Sequence, residues 1–399
     1  MLAAEVVSTT GAQMTWLALP WFVLVTTGSA TRMSVVVGAE LVGLAALGIP
    51  GGAVLRRIGA WRTMVLADAV RAPLMLAIPA LHWVGSDAFV PIVVLAFLLG
   101  ALAGPYFAAQ KVIVPELIGE NEALVGQANA LFQGATRITM LLGPVLGGVL
   151  IAAVSAPWAL VVDAATYVVS ATILLTLVPR PRAAPPTEED VGVRRGVRFL
   201  VREPLLRLWV PIFALGDTAW TAFFVSIPVL VVARFDADPE TAGWLLAAFG
   251  VGAVLGNVLA YRVLLRRLDA LRLVGLFVLG QAAPLWLLVT YPSAPLAALA
   301  LGLSGVANGI VNPPIHSLLT LRVPPPLRPS VLTVQMIVFG LAQPLGVFCV
   351  GPVLDEFGPQ PVLVAFAAVQ TVAMALIALS CFVVRRAALP GEERLGAAA

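Results

Sequence analysis

Ionisable residues interrupt otherwise apolar stretches of this chain, among them Glu40, Asp68, Arg71, Arg137, Asp163 and Asp217. A charged side chain in hydrocarbon costs roughly 2.5–3.5 kcal/mol on insertion scales. Such residues therefore mark ion pairs, proton relays or substrate paths. A buried carboxyl favours its protonated form, and an approaching cation favours its charged form, so a carboxylate and an arginine that meet can exchange a proton. Arg137 lies about thirteen residues, roughly 20 Å, into its helix, and Asp217 lies about twelve residues into its own. Glu40 sits about two turns into the second apolar stretch from the opposite end. Asp68 and Arg71, one turn apart, lie next to an arginine-rich loop. They read as an ion-pair network that could latch that face. Asp163, about two turns into the sixth stretch, reads as structural or snorkelling.

The elements that must position these groups follow from composition. Of 399 residues, 60% are hydrophobic and 11% charged. Soluble domains carry about 25% charge, so lipid must surround most of this chain, in spans of roughly 20 apolar residues. The spans are expected at 4–27, 33–55, 63–84, 88–108, 124–152, 157–178, 205–233, 241–261, 272–291, 295–315, 330–353 and 361–384. Loops after even-numbered spans, with the tail, hold 20 of the 24 Lys and Arg residues, and loops after odd-numbered spans hold only Arg32 and Arg234. The positive-inside rule then places both termini in the cytoplasm. Residues 1–178 and 205–399 form two six-helix units joined by a cytoplasmic linker, 179–204. In the linker, Val193, Val197, Leu200 and Val201 alternate with Arg194, Arg195, Arg198 and Arg202. That pattern predicts either a basic amphipathic helix on the anionic leaflet or a plain solvated linker. Pro20 and Pro228, Arg56-Arg57 and Arg266-Arg267, and Val114-Pro115 and Val323-Pro324 recur at one offset. The landmarks indicate a duplicated unit, as in transporters built from parallel six-helix repeats.

Several segments resemble the major facilitator superfamily, and within it the drug-efflux branch that includes macrolide and siderophore exporters. They are LALPWFVLVTTGSAT (Leu17 to Thr31), GGAVLRRIGAWRTMVLADAVRAPL (Gly51 to Leu74), GPYFAAQKVIVPELI (Gly104 to Ile118) and GPVLGG (Gly143 to Gly148). The last resembles the antiporter signature, carried here by Gly143, Pro144, Gly147 and Gly148. The family's loop motif has an acid where this chain has Arg56, and many relatives have an acid where it has Ala12. The family usually begins with a short basic segment, so a trimmed or misassigned start is expected.

The resemblance implies an all-α membrane protein with twelve transmembrane helices in two pseudo-symmetric six-helix bundles. Spans one, four, seven and ten would line the cavity. Asp217 becomes a cavity carboxylate that carries the coupling proton, Arg137 its partner from the other half, and Glu40 the rival. The candidate substrate cavity comprises Trp16, Trp21, Tyr106, Phe107, Gln133, Trp220, Phe224, Asn308 and Asn312, although any one of these could be ordinary packing. Aromatic and amide walls suit an amphipathic organic molecule. Arg56, Arg57 and Arg62 are expected to dock on Asp68, with Arg71, as a cytoplasmic gate.

Other chemistry finds no support in the residues. Gly250, Gly252 and Gly256 imitate a dinucleotide fingerprint, but the spacing is one residue too long and the stretch is a span. There is no Walker loop, HExxH or GxSxG motif. Cys349 and Cys381 are expected as free thiols buried in helices. Glycines four apart, at Gly48/Gly52, Gly100/Gly104, Gly143/Gly147, Gly252/Gly256 and Gly305/Gly309, suit close helix packing in lipid. No cofactor, metal or nucleic acid is expected. The expected partners are the lipid bilayer, a small-molecule substrate and protons, with a monomeric protein in the cell inner membrane. Proton-coupled efflux of drug-like or secondary-metabolite molecules leads. An uptake symporter and a non-transporting scaffold or sensor are the alternatives, and the midplane carboxylates count against the scaffold.

Overall fold

The computed structural model describes residues 1–48, 55, 57–85, 89–119, 122–180, 193–290 and 293–388. Arg56, Gly51, Gly52 and residues 181–192 of the linker lie outside the described residues. Long helices fill the rest: α1 (Leu2–Thr27), α2 (Ala30–Gly48), α3 (Ala60–Trp83), α4 (Phe89–Ile118), α5 (Glu122–Ala153) and α6 (Ala156–Leu177). After α7 (Val193–Arg202) come α8 (Leu206–Arg234) and α9 (Pro239–Arg262). The next apolar stretch, expected as one helix, is segmented into α10 (Ala270–Phe277), α11 (Leu279–Ala282) and α12 (Trp286–Val289). A 3-10 turn, Ala283–Leu285, precedes α12. Pro284 lacks the N–H an α-turn needs, which explains the interruption. The chain continues with α13 (Ala294–Leu321), α14 (Arg328–Phe357) and α15 (Pro359–Ala388).

Eleven helical stretches among the described residues are long and apolar enough to cross a membrane. The first helix, α1, is 26 residues long but carries Glu5, Ser8 and Thr15. It hides them: all three are buried. A polar stripe turned inward lowers a helix's mean hydropathy without exposing that stripe to lipid. Between α1 and α2, Gly28 adopts φ 65° and caps α1 by donating to the Leu24 carbonyl, which a side chain would disfavour.

The chain folds as two compact units. One comprises 1–189, 224–247 and 343–359, the other 190–223, 248–342 and 360–399. In the first, Trp61, Met64, Tyr106, Ile113 and Leu174 form a core where α3, α4 and α6 meet, and the Trp61 indole N–H donates to the Leu174 carbonyl at 3.1 Å. In the second, Trp209, Leu273, Val311, Ile315 and Ile377 form the core, and the Trp209 indole donates to Ser380 Oγ at 2.7 Å.

Glycine governs the closest approaches in both units. A Cβ at Gly43 or Gly100 would collide with the carbonyl of Phe97 or Glu40 between α2 and α4. A Cβ at Gly252, Gly256, Gly305 or Gly309 would collide with carbonyls across α9 and α13. The second helix of each sequence half thus packs on the fourth through bare backbone, as small residues permit in lipid.

The basic amphipathic helix is present as α7. Val193, Val197 and Val201 are exposed, while Leu200 is buried in the second unit's core. A Cβ at Gly196 would collide with the Ser330 carbonyl of α14. At the linker's end, Glu203 accepts the Leu206 N–H and pairs with Arg322 at 3.1 Å. The linker's second part is therefore docked on the protein rather than only solvated. Both cysteines are free, but only Cys381 is buried. Cys349 is exposed, because its side of α14 is turned away from the core.

Candidate functional site

In the first unit, polar groups from five helices converge. The Arg71 guanidinium (α3) donates to the Tyr167 hydroxyl (α6) at 2.7 Å and lies 4.2 Å from that ring's centroid. Its Nη1 is 3.7 Å from Asp68 Oδ1. Asp68 and Asp163 are fully buried. Asp163 accepts the Thr15 hydroxyl at 2.6 Å and the Thr166 hydroxyl at 3.2 Å, and a Cβ at Gly11 would collide with it. Of the two readings of Asp163, structural or snorkelling, its burial favours the structural one: its carboxyl turns inward because α1 supplies a hydroxyl and a bare backbone to receive it. Glu5, which the sequence reading missed, accepts from the Thr9 hydroxyl at 2.8 Å and the Tyr106 hydroxyl at 3.3 Å. Glu40, Arg71, Tyr167, Trp16 and Phe107 line one cavity of about 80 Å³. Ala12, where the resemblance expects an acid, lines it too.

The expected docking of loop arginines on Asp68 is corrected where the structure describes it. Arg57 and Arg62 are exposed, whereas Asp68 is fully buried and its ion-pair partner is Arg71. Burial removes Asp68 from the reach of Arg57 and Arg62.

In the second unit, a cavity of about 270 Å³ is lined by Asp217, Trp220, Asn308, Asn312 and His316, together with Gln281, Gln335 and Gln370. Trp220 (α8) packs against Phe249 (α9) and Phe366 (α15), with ring centroids 4.7 and 4.9 Å apart. Asn312 Nδ2 donates to Asn308 Oδ1 at 2.9 Å, one turn apart on α13. Gln370 donates to the Gly216 carbonyl at 2.7 Å, and its own Oε1 accepts no hydrogen bond. Asp217 is exposed to the cavity. The arrangement offers one carboxylate, several amide donors and acceptors and an aromatic wall, a set that binds a molecule with both ring surface and polar groups.

The structure thus divides the expected site residues. Asp217, Trp220, Asn308 and Asn312 share the second unit's cavity, and Trp16, Phe107 and Glu40 share the first unit's. Tyr106 is buried on Glu5, and Trp21 is buried in the core rather than lining the cavity of its unit. Arg137 and Gln133 are exposed on α5, in the first unit, and Phe224 is half-buried there. Gly143 and Gly147 of the antiporter motif pack α5 on Gln13 and Met14 of α1, and Gly148 lies against Pro239 and Glu240. Gln281, Gln335, Gln370 and His316 were legible as polar residues in apolar stretches, but nothing in their spacing aimed them at Asp217.

The sequence model of the Major Facilitator Superfamily matches residues 1–346 and 212–397, which together span nearly the whole chain. The chain belongs to this superfamily. Among curated relatives it is 28% identical over 374 residues to the multidrug efflux pump Tap of Mycolicibacterium fortuitum, covering 90% of this chain and 89% of the relative. It is 32% identical over 216 residues to the enterobactin exporter EntS of Escherichia coli O127:H6, covering 50% of each. Among solved structures, the nucleoside transporter NupG matches with a TM-score of 0.75 at 13% identity over 96% of this chain and 98% of that one. As a major facilitator, the chain is a multi-pass membrane transporter rather than an enzyme.

Proposed function

We propose that this major facilitator is a proton-coupled exporter of amphipathic, drug-like or secondary-metabolite molecules, working by alternating access. The observation that carries the reading is the second unit's cavity, where Asp217 stands among amides beside the Trp220 aromatic wall. A carboxylate there can take either a proton or a polar group of the substrate, and competition between the two links their movements. The names of the matched relatives, a multidrug efflux pump and an enterobactin exporter, agree in direction. The arginine distribution supports cytoplasmic termini, the bacterial relatives support an inner-membrane location, and a monomer suffices for this mechanism.

Inside-out vesicles given ethidium and an acid-inside gradient test the proposal. The wild-type chain should concentrate ethidium in the lumen, and collapsing the gradient should abolish accumulation. Asp217→Asn should lower gradient-driven accumulation at least about tenfold, one pH unit's worth of coupling, while ethidium binding and expression persist. Accumulation that survives in Asp217→Asn but is lost in Glu40→Gln would move the coupling proton to Glu40. Loss of expression in Asp217→Asn would make Asp217 structural.

A further inference from the structure

The buried charge cluster of the first unit is not used by a mechanism centred on Asp217, yet its charges do not balance as they stand. Glu5 comes from α1, Glu40 from α2, Asp68 and Arg71 from α3, Tyr106 from α4, and Asp163 and Tyr167 from α6. Arg71 is the cation that acts on all four carboxyls. One guanidinium balances one carboxylate, and several unbalanced charges cannot share a buried site. Two of the acids have settled partners: Glu5 holds Thr9 and Tyr106, and Asp163 holds Thr15 and Thr166. The other two do not. Neither oxygen of Asp68 accepts a hydrogen bond, although the residue is fully buried. Its distance to Arg71 Nη1, 3.7 Å, exceeds a hydrogen bond. The Arg71 Nε–H is equally without an acceptor. A buried carboxylate and a guanidinium nitrogen left so are rare in folded proteins. Glu40, on the other side, shares the 80 Å³ cavity with Arg71.

We propose that Glu40 and Asp68 form a one-proton relay about Arg71, a second proton site separate from Asp217. In one state Glu40 is the neutral acid and Asp68 the carboxylate next to Arg71. In the other the proton has moved to Asp68, Glu40 is the carboxylate, and Arg71 turns to it. The proton leaves one carboxyl oxygen and joins another, and the total charge is unchanged. Tyr167, bound to Arg71 Nη2 and stacked under the guanidinium, is the pivot that keeps the arginine within reach of both. Glu40 is the member that meets the cavity, so the shared proton is released through it to the cavity as pH rises and regained as pH falls; the pair's charge changes by one in that exchange, and not in the relay itself. The relay links α2 to α3, and it rests on the exporter reading only for the use to which the second proton is put.

Trp16 lines the same cavity as Glu40 and Arg71, which supplies a readout that needs no substrate. The purified full-length chain in detergent is titrated from about pH 5 to 9, within the range of perturbed carboxyls, and its tryptophan fluorescence is compared with that of Trp16→Phe. The difference should show a reversible pH-dependent step. Glu40→Gln and Asp68→Asn should each remove it, and Asp163→Asn should keep it. Tyr167→Phe should move its midpoint by about one pH unit, the size of a change in one ion-pair contact. A step that persists in both Glu40→Gln and Asp68→Asn, or that vanishes in Asp163→Asn, overturns the relay. Should either relay variant fail to give a monodisperse protein, an unmoved midpoint in Tyr167→Phe overturns it as well.

Transport separates this proposal from the exporter reading. In proteoliposomes with the membrane potential clamped, Glu40→Gln should lower the ethidium gradient sustained per pH unit about tenfold, one coupled proton fewer. Failure of wild-type efflux would remove the exporter reading while the Trp16 step still decided the relay.

Discussion

Individual side chains here act in the setting of their neighbours, and Thr15 shows how. Its hydroxyl is one of two that Asp163 accepts, at 2.6 Å and fully inside the bundle. Interhelical hydrogen bonds in membrane proteins contribute about 0.6 kcal/mol on average and up to about 1.7, less than their burial suggests, because the unfolded helix also finds partners in the membrane. The bond to a buried acid should fall at the upper end. Thr15→Val, which keeps the shape, is therefore expected to destabilise the protein by about 1–2 kcal/mol, measured as a lowered apparent Tm in detergent. An unchanged Tm would mean that Thr166 alone satisfies Asp163. Glu5 follows the same logic: a carboxyl at the start of a membrane helix is tolerated because Thr9 and Tyr106 hold it.

Between helices, one contact joins parts of the chain more than three hundred residues apart within the first unit. Asp355, near the end of α14, accepts the backbone N–H groups of Ala30 at 2.6 Å and Thr31 at 2.9 Å and the Ser29 hydroxyl at 2.8 Å. It caps the start of α2, where unpaired N–H groups and the helix dipole favour a negative charge. Along the same seam a Cβ at Gly351 would collide with Ser34, and one at Gly38 with the Phe348 ring. The cap thus fastens the start of α2 to the end of α14. In a background lacking Cys349 and Cys381, Ser34→Cys, fully buried, should react slowly with a membrane-impermeant maleimide. Adding Asp355→Asn, which removes the charge and one acceptor, should raise that rate by about tenfold, equivalent to losing roughly 1.4 kcal/mol of capping. Equal rates would show that the seam holds without the cap.

At the scale of the molecule, alternating arginine-rich and arginine-poor loops predict a topology that a tag can read. Green fluorescent protein fused after Ala399 should fluoresce, and alkaline phosphatase fused there should be inactive; the reverse pair of results would invert the orientation. The apolar runs, their length and the recurring landmarks were enough to read a two-fold repeat of membrane helices, because a bilayer demands about twenty apolar residues per crossing whatever the tertiary contacts. The glycine pairs Gly252/Gly256 and Gly305/Gly309 were equally legible, since nothing else lets helices touch so closely. The sequence also marked Asp217, Trp220, Asn308 and Asn312, which the fold gathers around one cavity. It could not mark where α10 to α12 would break, nor that α1 would turn Glu5, Ser8 and Thr15 inward. It placed Asp68 with the loop arginines because the two are near in sequence. Only the packing of α3 against α4 and α6 decided that Asp68 and Arg71 would meet Tyr106 and Tyr167 inside the bundle. The apolar pattern sets which segments enter the membrane. Which way each polar residue faces depends on partners contributed by other helices, and a single chain's spacing holds no record of those.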